Sequence, residues 1–81
     1  MSMLKVPDSP SAIVKYSVRV GTKSTSISLE PEFWRELRRL ADLNRMSISE
    51  LLTEIDSSKK TKNLSSACRL FVIEVLSRQW Q

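Results

Sequence analysis

The sequence predicts a mainly α-helical chain that opens with a short β-ribbon, adds a C-terminal helix, and completes its core as an intertwined homodimer. Three observations predict it. Before residue 30, two stretches alternate apolar with polar residues. After it, three stretches carry apolar residues at three-to-four spacing. And a chain of 81 residues, 41% of them apolar, has more greasy surface than one thin core covers.

Residues 1–14, with Pro7, Asp8, Ser9 and Pro10 and little periodicity, read as a flexible arm before a single domain over residues 15–81. Tyr16-Ser17-Val18-Arg19-Val20 then alternates, Gly21-Thr22-Lys23 punctuates it, and Ser24-Thr25-Ser26-Ile27-Ser28-Leu29 alternates again. The two alternations are out of phase. Tyr16, Val18 and Val20 are even positions, whereas Ile27 and Leu29 are odd. One uninterrupted strand would send the two apolar sets to opposite faces. The chain must therefore turn or bulge at Gly21, its only glycine. Two paths satisfy this: a hairpin within the chain, or a bent strand that contributes only its second half to a ribbon shared by two chains.

Glu30-Pro31 opens the first helix, since proline at the first helical position loses no needed N–H and the acidic Glu30 and Glu32 suit the positive end of the helix dipole. Phe33, Trp34, Leu37, Leu40 and Ala41 form its apolar face, and Asn44 is the expected left-handed residue just beyond its end. Ser47-Ile48-Ser49-Glu50 fits a capping box, with Met46 and Leu51 placed as a hydrophobic staple. Ile48, Leu51, Leu52 and Ile55 supply the stripe of this second helix, which fades near Asp56-Ser57-Ser58. A basic loop with Lys59, Lys60 and Lys62 follows. Asn63 caps a third helix whose face is Leu64, Ala67, Cys68, Phe71, Val72, Val75 and Trp80. Leu70, Ile73 and Leu76 widen that face until the helix is greasy on several sides, which calls for cover by a neighbour.

The net charge is +4, with a sequence isoelectric point of about 9.6. Lys5, Lys15, Arg19 and Lys23 are opposed only by Asp8 before residue 24. This gathered positive charge favours an anionic partner such as nucleic acid. The single cysteine, Cys68, forbids an intrachain disulfide, and the absence of histidine removes the usual metal ligands, so neither a cofactor nor a metal is expected. No histidine, glycine-rich phosphate loop or activated hydroxyl supports catalysis, so the chain does not read as an enzyme. No apolar run reaches the ~18 residues of a membrane span, and Val6-Pro7-Asp8-Ser9-Pro10 interrupts any leader, so the expected location is the cytoplasm.

Two copies of the 24–29 strand, paired antiparallel, would bury Ile27 and Leu29 on four helices and present Ser24, Ser26 and Ser28 on the opposite face. A two-stranded ribbon fits the DNA major groove, where short hydroxyls approach base edges closely. The run Thr25-Ser26-Ile27-Ser28-Leu29-Glu30-Pro31-Glu32-Phe33-Trp34, with Leu37, Ser47-Ile48-Ser49, Leu51, Glu54-Ile55-Asp56 and Asn63-Leu64-Ser65-Ser66-Ala67, then Arg69 and Phe71, resembles a bacterial subfamily of the ribbon-helix-helix superfamily (a MetJ/Arc-like fold). The similarity spans roughly residues 15–78. It implies a dimeric, repressor-type transcriptional regulator that binds double-stranded DNA. It places Ser24, Ser26 and Ser28 toward the bases and Ser47 and Ser49 at a phosphate. Arg19 and Lys23, flanking the ribbon, would add phosphate attraction, and Ile27, Leu29, Trp34, Leu37 and Phe71 would form the dimer core. Two departures stand out. Asn44-Arg45-Met46 replaces a turn that commonly holds glycine. The serine trio also lacks a side chain that pairs bidentately with a base, which implies weak discrimination per base pair. The alternative is a protein-interaction module or antitoxin-like partner. The ending at Trp80-Gln81, just after an amphipathic helix, speaks against the long partner-wrapping tail typical of such antitoxins.

Overall fold

Strands β1 (Val14–Val20) and β2 (Lys23–Leu29) precede helices α1 (Pro31–Leu43), α2 (Ile48–Ser58) and α3 (Leu64–Gln79). The computed structural model describes residues 12–59 and 62–79. Expectations for the arm up to residue 11, for Lys60 and for Trp80 fall outside them.

The out-of-phase alternation resolves as a hairpin within one chain. β1 and β2 pair antiparallel, with Tyr16 opposite Ile27, Val18 opposite Thr25, and Val20 opposite Lys23. A two-residue loop, Gly21-Thr22, joins them, and it sets even positions of β1 against odd positions of β2. Both apolar sets therefore share one face. Gly21 takes φ 62° at the first loop position, as a type II′ turn requires and as glycine alone adopts without strain. Val18, Val20, Ile27 and Leu29 are buried on this inner face.

Helix α1 starts at Pro31, with the amides of Phe33 and Trp34 donating to the Glu30 carbonyl. It buries Leu37, Leu40 and Ala41, while Phe33 and Trp34 pack half-buried against the core. Trp34 stacks on Tyr16 of β1, with ring centroids 4.2 Å apart and an interplanar angle of 8°, which fixes the hairpin over α1. The end of α1 differs from expectation by one residue. Asn44 has φ −100°, and its side-chain amide donates to the Leu40 carbonyl at 2.7 Å, extending the helical turn. Arg45 instead takes the left-handed conformation, φ 56°. The reason is the Schellman pattern that follows: Arg45 N donates to the Asp42 carbonyl and Met46 N to the Ala41 carbonyl, which places the left-handed residue second after Leu43. Arg45 thus occupies the position that a glycine fills without strain.

Helix α2 begins with the expected capping box, Ser47 Oγ accepting from Glu50 N at 3.0 Å and Glu50 Oε1 from Ser47 N at 2.8 Å. Its stripe buries Leu51, Leu52 and Ile55, with Ile48 half-buried. Asn63 caps α3, its side-chain oxygen accepting from Ser66 N at 3.2 Å. Ala67, Cys68 and Val72 are buried, and Leu64, Phe71, Val75 and Leu76 pack partly against the same core. Of the residues expected in a dimer core, Ile27, Leu29 and Leu37 are already buried within one chain, and Trp34 and Phe71 are half-buried. No buried side-chain polar atom lacks a partner among the described residues.

Candidate nucleic-acid interface

The inner face of the hairpin is spent on the core, so the outer face is what the strands offer. Across it, Arg19 lies opposite Ser24, Ser17 opposite Ser26, and Lys15 opposite Ser28. All six are exposed, and no carboxylate stands among them. The serine trio is thus brought together as the alternation predicts. Lys15 and Ser17 join it, which sequence reasoning did not foresee. The signal was present in the phase offset: a two-residue loop at Gly21-Thr22 is the hairpin connection that puts these positions beside the serines. Among the described residues, the side chains of Lys15 and Arg19 have no hydrogen-bond or ion-pair partner.

Lys23 sits elsewhere. It faces the same side as Thr25 and lines a concavity along the β2 edge with Asp56, Lys59 and Lys62, where Asp56 is paired with Lys59. Lys23 and Lys62 keep this rim positive.

The start of α2 is tied to β1. Ser49 Oγ donates to the Arg19 carbonyl at 2.7 Å. Thr53 Oγ1 donates to the Ser49 carbonyl at 2.7 Å and accepts from Gly21 N at 2.9 Å. The two hydroxyls expected at a phosphate therefore differ. Ser49 spends its one proton on the strand, whereas Ser47 is engaged within the capping box, its oxygen accepting from Glu50 N and its hydroxyl interacting with the Glu50 carboxylate. Glu50 stays ionised, its carboxyl held below the usual range first by the Ser47 backbone amide and then by the Ser47 hydroxyl. A negative charge at this helix start opposes an incoming phosphate.

The other end of the ribbon is tied to α3. Ser28 N donates to Ser65 Oγ at 3.0 Å, and Arg69 Nη2 donates to the Ser28 carbonyl at 3.2 Å. Arg69 Nε also donates to Glu30 Oε1 at 3.1 Å, with its guanidinium 6.0 Å from the Phe33 ring centre. The Glu30 carboxyl is held below its ordinary range, first by its own backbone amide and then by Arg69. The hairpin is thus clamped at both ends, by Ser49 and Thr53 at the turn and by Ser65 and Arg69 at the exit.

The chain is a two-stranded antiparallel ribbon followed by helices, and residues 13–76 match the family described as the ribbon-helix-helix domain. The chain belongs to that family. Ribbon-helix-helix proteins are DNA-binding regulators and antitoxins, typically without catalytic activity. No curated protein and no solved structure matches the chain. Among the described residues no cluster of potential metal ligands occurs, and no helix is long and apolar enough to cross a membrane. The Cys68 thiol is buried and pushed up to about 11 by that burial, so it is protonated and unreactive at neutral pH.

Proposed function

We propose that this chain is a repressor-type transcriptional regulator that binds double-stranded DNA as a homodimer, laying its hairpin in the major groove. One observation carries the reading: a carboxylate-free outer face, two strands wide, with Ser24, Ser26 and Ser28 down one strand and Lys15, Ser17 and Arg19 down the other. Strands lie ~4.8 Å apart, so a hairpin enters a major groove ~12 Å wide. Ser24, Ser26 and Ser28 face the bases in this arrangement. Lys23, on the rim, and Ser47, at the start of α2, meet phosphates. Ser49 contributes through the strand it holds. The second copy covers the exposed side of α3, where Leu70 and Ile73 stand 60% and 52% open to solvent.

Binding by phosphate neutralisation releases counterions, so affinity for random duplex DNA should fall steeply and linearly on a logarithmic salt scale. Gel-shift titrations of a random 30-base-pair duplex at several salt concentrations measure the slope. Lys23→Ala should weaken binding and flatten that slope by about one contact. Passage of the wild-type protein through a DNA column at low salt would defeat the proposal. It would favour the protein-interaction or antitoxin-like reading, to which the open apolar residues of α3 are equally suited.

A further inference from the structure

We infer that a second copy of this chain seats on α3 with the two helices side by side and parallel, each Leu70–Ile73 ridge lying in the groove between α2 and α3 of the other and each Arg69 meeting Glu74 of the other copy. The inference deepens the homodimer of the reading above, on which it rests, by giving the contact on α3 a register and a direction.

Three observations carry it. First, the stripe that α3 turns outward repeats as a coiled-coil seam. Ser66, Leu70, Ile73 and Ser77 follow at spacings of four, three and four; the last three are exposed and Ser66 is partly covered. Large apolar residues fill the middle of this seam and small hydroxyls its ends, so a second helix can approach closely. Second, the surface beside the ridge is hollow. Ile55 and Ser58 of α2, Lys59 just beyond it, and Ala67, Leu70, Phe71 and Glu74 of α3 line a concavity of about 360 Å³. The crest of α3 thus offers a ridge and one flank offers a groove that receives one. A twofold axis running along the helices sets the groove flank of each copy against the opposite flank of the other, so both ridges are received at once. Third, the two flanks carry opposite charge. Arg69 immediately precedes Leu70 and Glu74 immediately follows Ile73. These are the two places from which parallel helices exchange ion pairs across a seam.

The charges decide the direction. In the parallel pair the Arg69 flank of one copy meets the Glu74 flank of the other, and the symmetry repeats the contact. In a reversed pair like flanks would meet, bringing Arg69 beside Leu76 of the second copy and Glu74 beside Ala67, with both charges set against apolar side chains. Within one chain both groups have capacity to spare. Glu74 accepts from Arg78 at 2.6 Å, but the side chains are 64% and 73% exposed, and such a surface pair is released at little cost. Arg69 donates through Nε to Glu30 and through Nη2 to the Ser28 carbonyl, which uses two of its five N–H groups. Its side chain is 28% exposed, so a carboxylate from outside reaches it. Glu74 of the second copy then bears on the same guanidinium that holds the end of β2. The ion pair sets direction, and the apolar ridges supply most of the attraction.

Introduced cysteines read the register directly. Ser66→Cys, Ser77→Cys and an equal mixture of the two are oxidised in the full chain, with wild type as the blank because its own Cys68 is buried. Circular dichroism melting checks that each variant folds. Like positions face each other across the axis of a parallel pair, so each variant should form a disulfide-linked dimer with itself. Links that form only between Ser66→Cys and Ser77→Cys in the mixture would show a reversed pair and overturn the inference. Sedimentation supplies the second arm. Glu74→Arg should raise the dimer dissociation constant about tenfold, because like charges then meet twice. Arg78→Ala, which removes only the partner of Glu74 within the chain, should not weaken association. A wild-type dimer with no self-linking variant and no response to Glu74→Arg would place the second copy elsewhere, overturning this inference and leaving the homodimer and its DNA binding intact. A protein that stays monomeric at all concentrations removes the homodimer reading and this inference together. Self-linking variants of a protein that ignores DNA would remove the regulator and keep the α3 pair.

Discussion

Helices α2 and α3 are each capped by a short polar side chain and each lean on the same core, yet they end with opposite needs. In α2 the buried residues Leu51, Leu52 and Ile55 fall on one stripe, and Glu50, Glu54, Ser57 and Ser58 take the solvent side. In α3 Ala67, Cys68 and Val72 are buried, but Leu70 and Ile73, three residues apart on another side, stand open. One helix is completed by its own chain, and the other leaves two large apolar residues open. Greasiness alone does not separate them. What separates them is whether the apolar residues keep to one side, and that is why the proposed second copy is placed on α3.

The largest expected effect is on the completed helix. Leu52 is fully buried, and Leu52→Ala should cost about 2–5 kcal/mol, measured as a shift in urea midpoint with unchanged slope. A loss below about 1 kcal/mol would mean the α2 stripe is less closely packed than its burial indicates. On α3, Leu70→Glu with Ile73→Glu should leave the helical circular dichroism in place and raise the dimer dissociation constant at least tenfold, about 1.4 kcal/mol. Sedimentation at graded concentrations reads this directly, and the dependence of melting temperature on concentration should vanish with it. A wild-type protein that sediments as a monomer at all concentrations would remove the contrast between the helices. The smallest effect lies at Cys68. Its folded-state pKa is raised from 9.0 to about 11 by burial, so its share of stability is complete below pH 9 and is lost as pH rises toward 11. The loss at pH 10 should be about 1 kcal/mol, seen as the difference in pH dependence between wild type and Cys68→Ala. Parallel profiles for the two proteins would show that the thiolate is not excluded from that site.

Much of this architecture is readable from local chemistry. The three helices follow from apolar spacing, and their starts from Pro31, the Ser47–Glu50 box and Asn63, because each cap is an interaction within one turn. The strands follow from alternation, and so does the common face of Ser24, Ser26 and Ser28. What sequence leaves open is whatever depends on distant partners. A phase offset at Gly21 is met equally well by a bulge or a tight turn, and the choice falls to contacts 32 residues away, where Thr53 receives the Gly21 amide. Lys15 and Ser17 enter the candidate site only once that turn fixes the register. The same holds for Ser49. Its position at a helix start suggests a phosphate ligand, but its proton goes to the Arg19 carbonyl. The shift of the left-handed residue from Asn44 to Arg45 is a smaller case, decided by which carbonyls the next two amides reach.

A sheet of two strands has long open edges, and an open edge is a template on which further chains add strand by strand. Here α3 lays Ser65 and Arg69 across the β2 edge at Ser28, taking both its amide and its carbonyl. An approaching strand finds that rung of the ladder already occupied, and toward the turn it meets the positive rim formed by Lys23 and Lys62. The contact that seats the third helix therefore also acts as a stopper against fibrillar growth.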